Sequence, residues 1–206
     1  MKVPNRDQAK SFLRNAEKSN PGPWVQHSLY VAEAAERIAA VHPDLCADLS
    51  YTLGCLHDIG RGAGVTEMRH IIDGYRMMQQ QGFPGAARIC ITHSFPVKDV
   101  RVALGRWDCP ETDRQFVVRY LEQIIYNQYD TLIQLCDALA MSSGFCLIEK
   151  RLMDVVMRRG MNAHTIKKWR MIFRLKEKFE AEIGRSVYAI LPDVVENTFG
   201  FNPGCE

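Results

Sequence analysis

The sequence lacks several features that would assign it to a specialised class of protein. No stretch approaches 18 uninterrupted apolar residues, so we predict that no segment spans a membrane. The amino terminus has no apolar run of the signal-peptide kind, and we therefore expect a cytoplasmic protein. C-x-x-C pairs are absent, which removes support for zinc ribbons and thioredoxin-like redox sites.

The cysteine pattern gives no support to a disulfide framework. The chain has seven cysteines, an odd number, and Cys55, Cys90 and Cys136 lie in apolar helical stretches. Cysteine in such a stretch usually packs as a small hydrophobic residue. We therefore predict reduced thiols throughout.

Composition excludes both disorder and a uniformly charged chain. The 206 residues are 47% hydrophobic and 24% charged, with a formal net charge of +2. The charge is uneven, because residues 150–178 contain ten Lys or Arg against two acids. This basic segment leaves open a binding module for nucleic acid as one alternative function, although amphipathic, solvated helix faces explain it as well and make nucleic acid an improbable partner.

Apolar residues recur at helical spacing, and no alternating run favours a strand. We predict one all-α domain over residues 1–206, a helical bundle with its core at about 20–142 and a C-terminal helical extension at 147–206. Residues 95–112, with Gly105 and Pro110, are expected to form a loop or short helical turn. The predicted helices span 24–41, 46–58, 67–81, 84–94, 113–126, 129–142, 147–158, 162–183 and 185–198.

The pair His57-Asp58 is the most informative feature. It ends an apolar run and is followed at once by a turn rich in glycine. A carboxylate buried in such a place must be paired or bound to metal. Imidazole and carboxylate together are suitable ligands for Zn, Mn, Fe and similar ions.

Further candidate ligands lie on other predicted helices. His27 is on or beside an apolar stripe, His70 begins the third predicted helix, and His93 ends a short apolar helix. Asp137 interrupts an otherwise apolar helix and needs a partner there. A helix bundle can direct all of these side chains to one point.

The order His27, His57-Asp58, Asp137 resembles the HD-domain superfamily of metal-dependent phosphohydrolases, over roughly residues 20–142. The resemblance implies that His27, His57, Asp58 and Asp137 hold a first divalent ion. It further implies that Asp58 bridges to a second ion held by His70 and His93, as in the binuclear branches of the superfamily.

The expected function is hydrolysis of a phosphate ester or anhydride, of a nucleotide or another small phosphorylated metabolite, by metal-activated water. His57 and Asp58 are the predicted catalytic residues, and the ions are expected among Fe, Mn, Mg, Co, Ni and Zn. Arg61 and Lys98 are the predicted substrate-binding residues, because cationic side chains near the site suit phosphate oxygens.

A second alternative is a di-iron oxygenase, since some HD-domain proteins use the same ligand set to activate oxygen.

The remaining histidines, His42 and His164, are expected at the surface. The basic segment lies outside the resemblance, and we expect it to be a poor guide to catalysis.

Overall fold

A computed structural model describes residues 1–201 of the chain, and Cys205 therefore lies outside the described residues. The described part is built mainly of helices, with one small two-stranded hairpin, which confirms the predicted all-α class. The elements are α1 (Arg6–Ser19), α2 (Pro23–Ala39), α3 (Ala47–Leu56), α4 (Arg69–Gln80), α5 (Pro84–Thr92), α6 (Glu111–Gln123), α7 (Gln128–Leu139), β1 (Ala140–Met141), β2 (Gly144–Phe145), α8 (Ile148–Arg159), α9 (Thr165–Ile183) and α10 (Val194–Phe199), with 3₁₀ turns at Ile59–Ala63, Val100–Val102 and Val187–Ala189.

The structure departs from the predicted helices at three places. Helix α1 was not predicted, although Asn5 and Gln8 form a capping box at its start. The helix expected to reach residue 142 ends at Leu139, and a two-residue hairpin pairs Ala140 with Phe145. The helix predicted over 185–198 is replaced by the 3₁₀ turn Val187–Ala189 and the short α10.

The C-terminal helices share a hydrophobic core with the predicted HD-like region. One cluster of buried apolar side chains joins residues of α2 and α7 to residues of α8, α9 and α10. Phe179 of α9, for example, is fully buried in this cluster. Burial of a side chain of this size stabilises a fold by about 1.5–3 kcal/mol, so the extension is tied to the bundle rather than appended to it.

Two glycines allow the close helix packing that positions His57 and Asp58. A Cβ on Gly54 would lie 2.6 Å from the Cα of Ala32, so α3 approaches the backbone of α2. A Cβ on Gly60 would lie 2.0 Å from the carbonyl oxygen of His70 at the start of α4. The pair between these glycines is consequently held between α2 and α4.

The cysteines of the described residues are all free, in agreement with the predicted reduced thiols. Burial raises the pKa of Cys55 to about 12, so this thiol stays protonated and unreactive at neutral pH. Among residues 1–201, no helix has both the length and the apolar character needed to cross a bilayer.

Candidate metal centre

The six predicted metal ligands come from five separate elements and converge on one place. His27 lies in α2, His57 caps the end of α3, His70 lies in the first turn of α4 and His93 caps the end of α5. Four helices thus each deliver one imidazole, and all four histidines are buried. Asp58 precedes the 3₁₀ turn Ile59–Ala63, and Asp137 lies in α7.

Asp58 is the centre of this cluster. Its Oδ1 atom lies 3.1 Å from His70 Nε2 and 3.5 Å from His93 Nε2, and its Oδ2 atom lies 3.8 Å from His57 Nε2. The donor atoms form two groups, His27 with His57 and Asp58, and Asp58 with His70 and His93. Asp58 therefore belongs to both groups, as the bridging role implied by the resemblance requires.

Asp137 joins the cluster through His27. Its Oδ1 atom lies 3.0 Å from His27 Nε2. Two atoms that coordinate one ion at about 2.1 Å lie roughly 3.0–3.5 Å apart, so this pair has the separation of two ligands of the same ion. The side chain of Asp137 is 30% exposed, against 6% for Asp58, which places Asp137 at the more open edge of the cluster.

Backbone carbonyls fix the orientation of three imidazoles. His57 Nδ1 donates to the carbonyl of Gly54 at 2.7 Å, His93 Nδ1 donates to that of Ile89 at 3.0 Å, and His70 Nδ1 donates to that of Glu67. A carbonyl only accepts, so each proton sits on Nδ1 and each Nε2 lone pair faces the cluster. This is the arrangement that metal-binding histidines commonly show.

The cluster fits a metal because three of its inward-facing atoms have no hydrogen-bond partner. His57 Nε2, His70 Nε2 and Asp58 Oδ1 are buried and make no hydrogen bond to any residue of the described chain. An unsatisfied buried polar atom is costly, and three that converge on one place require an explanation. Divalent ions bound by these atoms would satisfy all of them.

Protonation states at the cluster also favour a cation. Burial lowers the pKa of His57 to about 3, so its imidazole is neutral at pH 7. Burial would raise the pKa of Asp58, but Arg61 and His70 outweigh that effect and hold it well below its usual range. Neutral imidazoles around ionised carboxylates are the forms that bind a divalent ion.

Arg61, one of the two predicted substrate-binding residues, contacts the cluster directly. Its Nε donates to Asp58 Oδ2 at 2.5 Å, and its side chain is 28% exposed. Within residues 1–201 its two terminal amino groups have no hydrogen-bond partner. The Nε–H group of the guanidinium thus holds Asp58 in place. Its two terminal amino groups remain available to donate hydrogen bonds to another group.

Lys98 is not brought to the cluster. Its ammonium donates to the carbonyl of Ile124 and lies 5.2 Å from the ring centroid of Tyr126. The side chain is exposed on the surface near the end of α6. Proximity to His93 in sequence suggested Lys98 as a phosphate ligand, but the chain after His93 turns its ammonium toward α6.

Two cations that the sequence analysis did not select lie at the open edge instead. Arg151 of α8 donates from Nη2 to Asp137 Oδ1 at 3.2 Å and from Nε to the Asp137 carbonyl at 3.2 Å. Lys168 of α9 lines a cavity together with Arg151, Asp137 and His93. Both belong to the basic segment 150–178, so part of that segment does point to the site.

The leftover histidines differ from the expectation for the surface. His42 is 6% exposed, its ring packs against Phe179, and its Nε2 lies 3.2 Å from Glu182 Oε2. The expectation of a surface position is therefore wrong for His42, because a carboxylate 140 residues later satisfies it inside the fold. His164 is partly buried at the start of α9.

Comparison with known proteins gives one match at the level of the family. The family model described as HD domain matches residues 24–142, which is more than half of the chain. Neither the curated proteins nor the solved structures include a match. The matched range contains all six predicted metal ligands and ends before the C-terminal helices α8–α10.

Proposed function

The chain belongs to the HD domain family, and on that premise we propose that it is a metal-dependent phosphohydrolase acting on a phosphate ester or anhydride of a small metabolite. The observation that carries the proposal is the cluster of three inward-facing donor atoms without partners, at His57, Asp58 and His70. Family membership supports hydrolysis, and the cluster supports the presence of the ions that such hydrolysis needs.

The chain's own residues would hold two ions. His27, His57, Asp58 and Asp137 would hold one, and Asp58, His70 and His93 would hold the other. When bound, such ions lower the pKa of a coordinated water toward neutrality and neutralise charge on phosphate oxygens.

Arg61 has two roles in this proposal. Its Nε–H fixes the carboxylate of Asp58 at 2.5 Å, so that the shared ligand is oriented before any ion binds. Its terminal amino groups are left to donate to a phosphate oxygen of the substrate, for which the planar guanidinium is geometrically suited. Burial alone would lower the pKa of Arg61, but the neighbouring Asp58 carboxylate outweighs that effect and raises it, so the guanidinium stays charged.

The test is a phosphate-release assay on the purified protein, loaded in turn with Mn, Mg, Co, Ni, Zn and Fe(II), over a panel of nucleotides, sugar phosphates and aromatic monoesters. We expect release with at least one ion and loss of that release in Asp58→Ala. The matched control is Asp44→Ala, which removes an exposed carboxylate and should leave turnover unchanged.

Two outcomes would contradict the proposal. One is the absence of phosphate release with every ion and substrate. The other is oxygen consumption by the iron-loaded protein with no phosphate released, which would support the oxygenase alternative.

A further inference from the structure

A cavity adjoins the cluster on the side of the C-terminal helices. It is bounded by two predicted metal ligands, by two cations of the basic segment, and by mostly apolar side chains of α7, α8, α9 and the loop after α5. The lining residues are His93, Pro96, Leu104, Gln134, Asp137, Ala138, Arg151, Leu152, Val155, Lys168, Trp169 and Ile172. The cavity therefore reaches the cluster at His93 and Asp137, and α8 and α9 supply part of its wall.

Lys168 is the unpaired cation of this cavity. Its side chain is partly buried, yet within the described residues its ammonium has no hydrogen bond and no ion pair. Six of the ten cations of the basic segment do have such partners among residues 1–201, namely Lys150, Arg151, Arg158, Arg159, Lys176 and Lys178. A cation that lines a cavity and binds no residue of the described chain is available to an anion that enters the cavity.

Arg151 acts differently from Lys168. Its guanidinium already donates twice to Asp137, through the backbone carbonyl and through Oδ1. It is a positioning residue for that carboxylate, and it adds positive charge to the same wall. Two cations thus line the cavity next to the cluster. Arg151 is already bonded to Asp137, and Lys168 is bonded to no residue of the described chain.

The lining of the cavity combines charged and apolar side chains. Arg151 and Lys168 provide positive charge, and Trp169, Leu104 and Val155 provide apolar surface. A lining of this composition suits a ligand that carries both a phosphate and an apolar or aromatic group.

We propose that this cavity is the substrate pocket, that Lys168 binds the phosphate of the substrate there, and that the substrate is a compact phosphate monoester with an apolar or aromatic organic group. The inference rests on the proposed function and extends it. A nucleoside triphosphate is disfavoured, because the lining supplies its polyphosphate chain with only one cation, Lys168, that no residue of the described chain already binds.

The test compares Lys168→Met with Lys167→Met. Lys167 precedes Lys168 on α9 and is exposed, so both variants lose one positive charge from the same helix. Inorganic phosphate is titrated into each metal-loaded protein by calorimetry, and the KM for p-nitrophenyl phosphate is measured beside it. We expect Lys168→Met to weaken phosphate binding and raise KM by roughly tenfold to a hundredfold, the range for loss of a charge-assisted hydrogen bond. Lys167→Met should match the wild type in both.

The readouts separate this inference from the proposed function. Phosphate binding that depends on Lys168 supports the pocket even in a protein that hydrolyses nothing. Hydrolysis with wild-type phosphate affinity and KM in Lys168→Met would overturn the pocket while leaving the hydrolase intact. A higher kcat/KM for ATP than for p-nitrophenyl phosphate would overturn the proposed substrate class.

Discussion

At the scale of single residues, burial decides which ionisable side chains carry chemistry. Asp58, His57 and His70 are buried, and each has an inward-facing atom without a hydrogen-bond partner, which marks them as candidate metal ligands. His42 is equally buried, but Glu182 and the backbone N–H of Asp44 satisfy its ring nitrogens. A buried histidine whose two nitrogens are satisfied stabilises the fold, whereas one with a free Nε2 can bind an ion.

Replacement of His42 tests its structural role. His42→Ala should lower the free energy of unfolding by about 2 kcal/mol, because it removes a buried ring that packs against Phe179 and a partner of Glu182. Urea denaturation measures the change. His164→Ala is the comparison, and we expect a change within about 0.5 kcal/mol for this more exposed ring. Equal effects of the two replacements would contradict the assignment.

At the scale of elements, side chains distant in sequence fix the helix ends that carry the ligands. Asp108 accepts from the backbone N–H groups of Glu67 and Arg69, both at 2.8 Å, and so caps the start of α4 beside His70. Asp130, at the start of α7, accepts from Arg88 and Thr92 of α5. These contacts tie together the two helices that deliver His93 and Asp137.

The pair of Asp130 with Arg88 should be important for stability. Asp130 is fully buried and also completes the capping box of α7 with Asn127. Asp130→Ala should therefore lower the free energy of unfolding by about 3 kcal/mol, since it leaves a partly buried guanidinium unpaired.

The matched control is Glu33→Ala, which breaks the exposed pair of Glu33 with Arg37 in α2. That loss should cost about 0.5 kcal/mol or less. Thermal and urea unfolding compare the two variants, and similar costs would contradict the role given to Asp130.

The elements also show how far the sequence alone could predict the site. The six candidate ligands could be selected from the sequence because His and Asp are conspicuous in apolar helical runs, where an ionisable group needs a partner. The same reasoning could not decide which of Lys98 and Lys168 lies near the cluster. Distance along the chain suggested Lys98, but packing of α9 against α7 determines that Lys168 lines the cavity.

The fold was predictable to a similar degree, and for similar reasons. Helical spacing of apolar residues is a strong signal over ten or more residues, so most helices were predicted. The hairpin of β1 and β2 has two residues in each strand, which is too short to produce an alternating pattern. Helix α1 has few apolar residues and is specified mainly by its cap and by its contacts with α3.

At the scale of the whole molecule, the C-terminal helices close one side of the site. They share a core with α2 and α7, and Arg159 pairs with Glu67 at 3.0 Å next to α4. Asn162 donates to the carbonyls of Arg101 and Ala103 in the loop after α5. The segment outside the matched family region is thus attached to the matched region at several points.

Ion binding should stabilise the whole molecule, because the ligands come from elements spread from α2 to α7. At a free ion concentration of about 100 times Kd, each bound ion adds about 2.7 kcal/mol to the free energy of unfolding. Urea unfolding with MnCl₂ and with EDTA measures this. A metal centre built across these helices would be contradicted if the urea midpoints in MnCl₂ and in EDTA were identical and if no other ion of the panel changed the midpoint.

The central claim is that Asp58 is shared by two ions, and the direct measurement is the metal content of the purified, metal-loaded protein by elemental analysis. Our account predicts two ions per chain in the wild type and none in Asp58→Asn. His70→Gln should retain about one, since His70 belongs only to the group that includes His93. A wild type that binds no ion, or an Asp58→Asn variant that keeps two, would contradict the account.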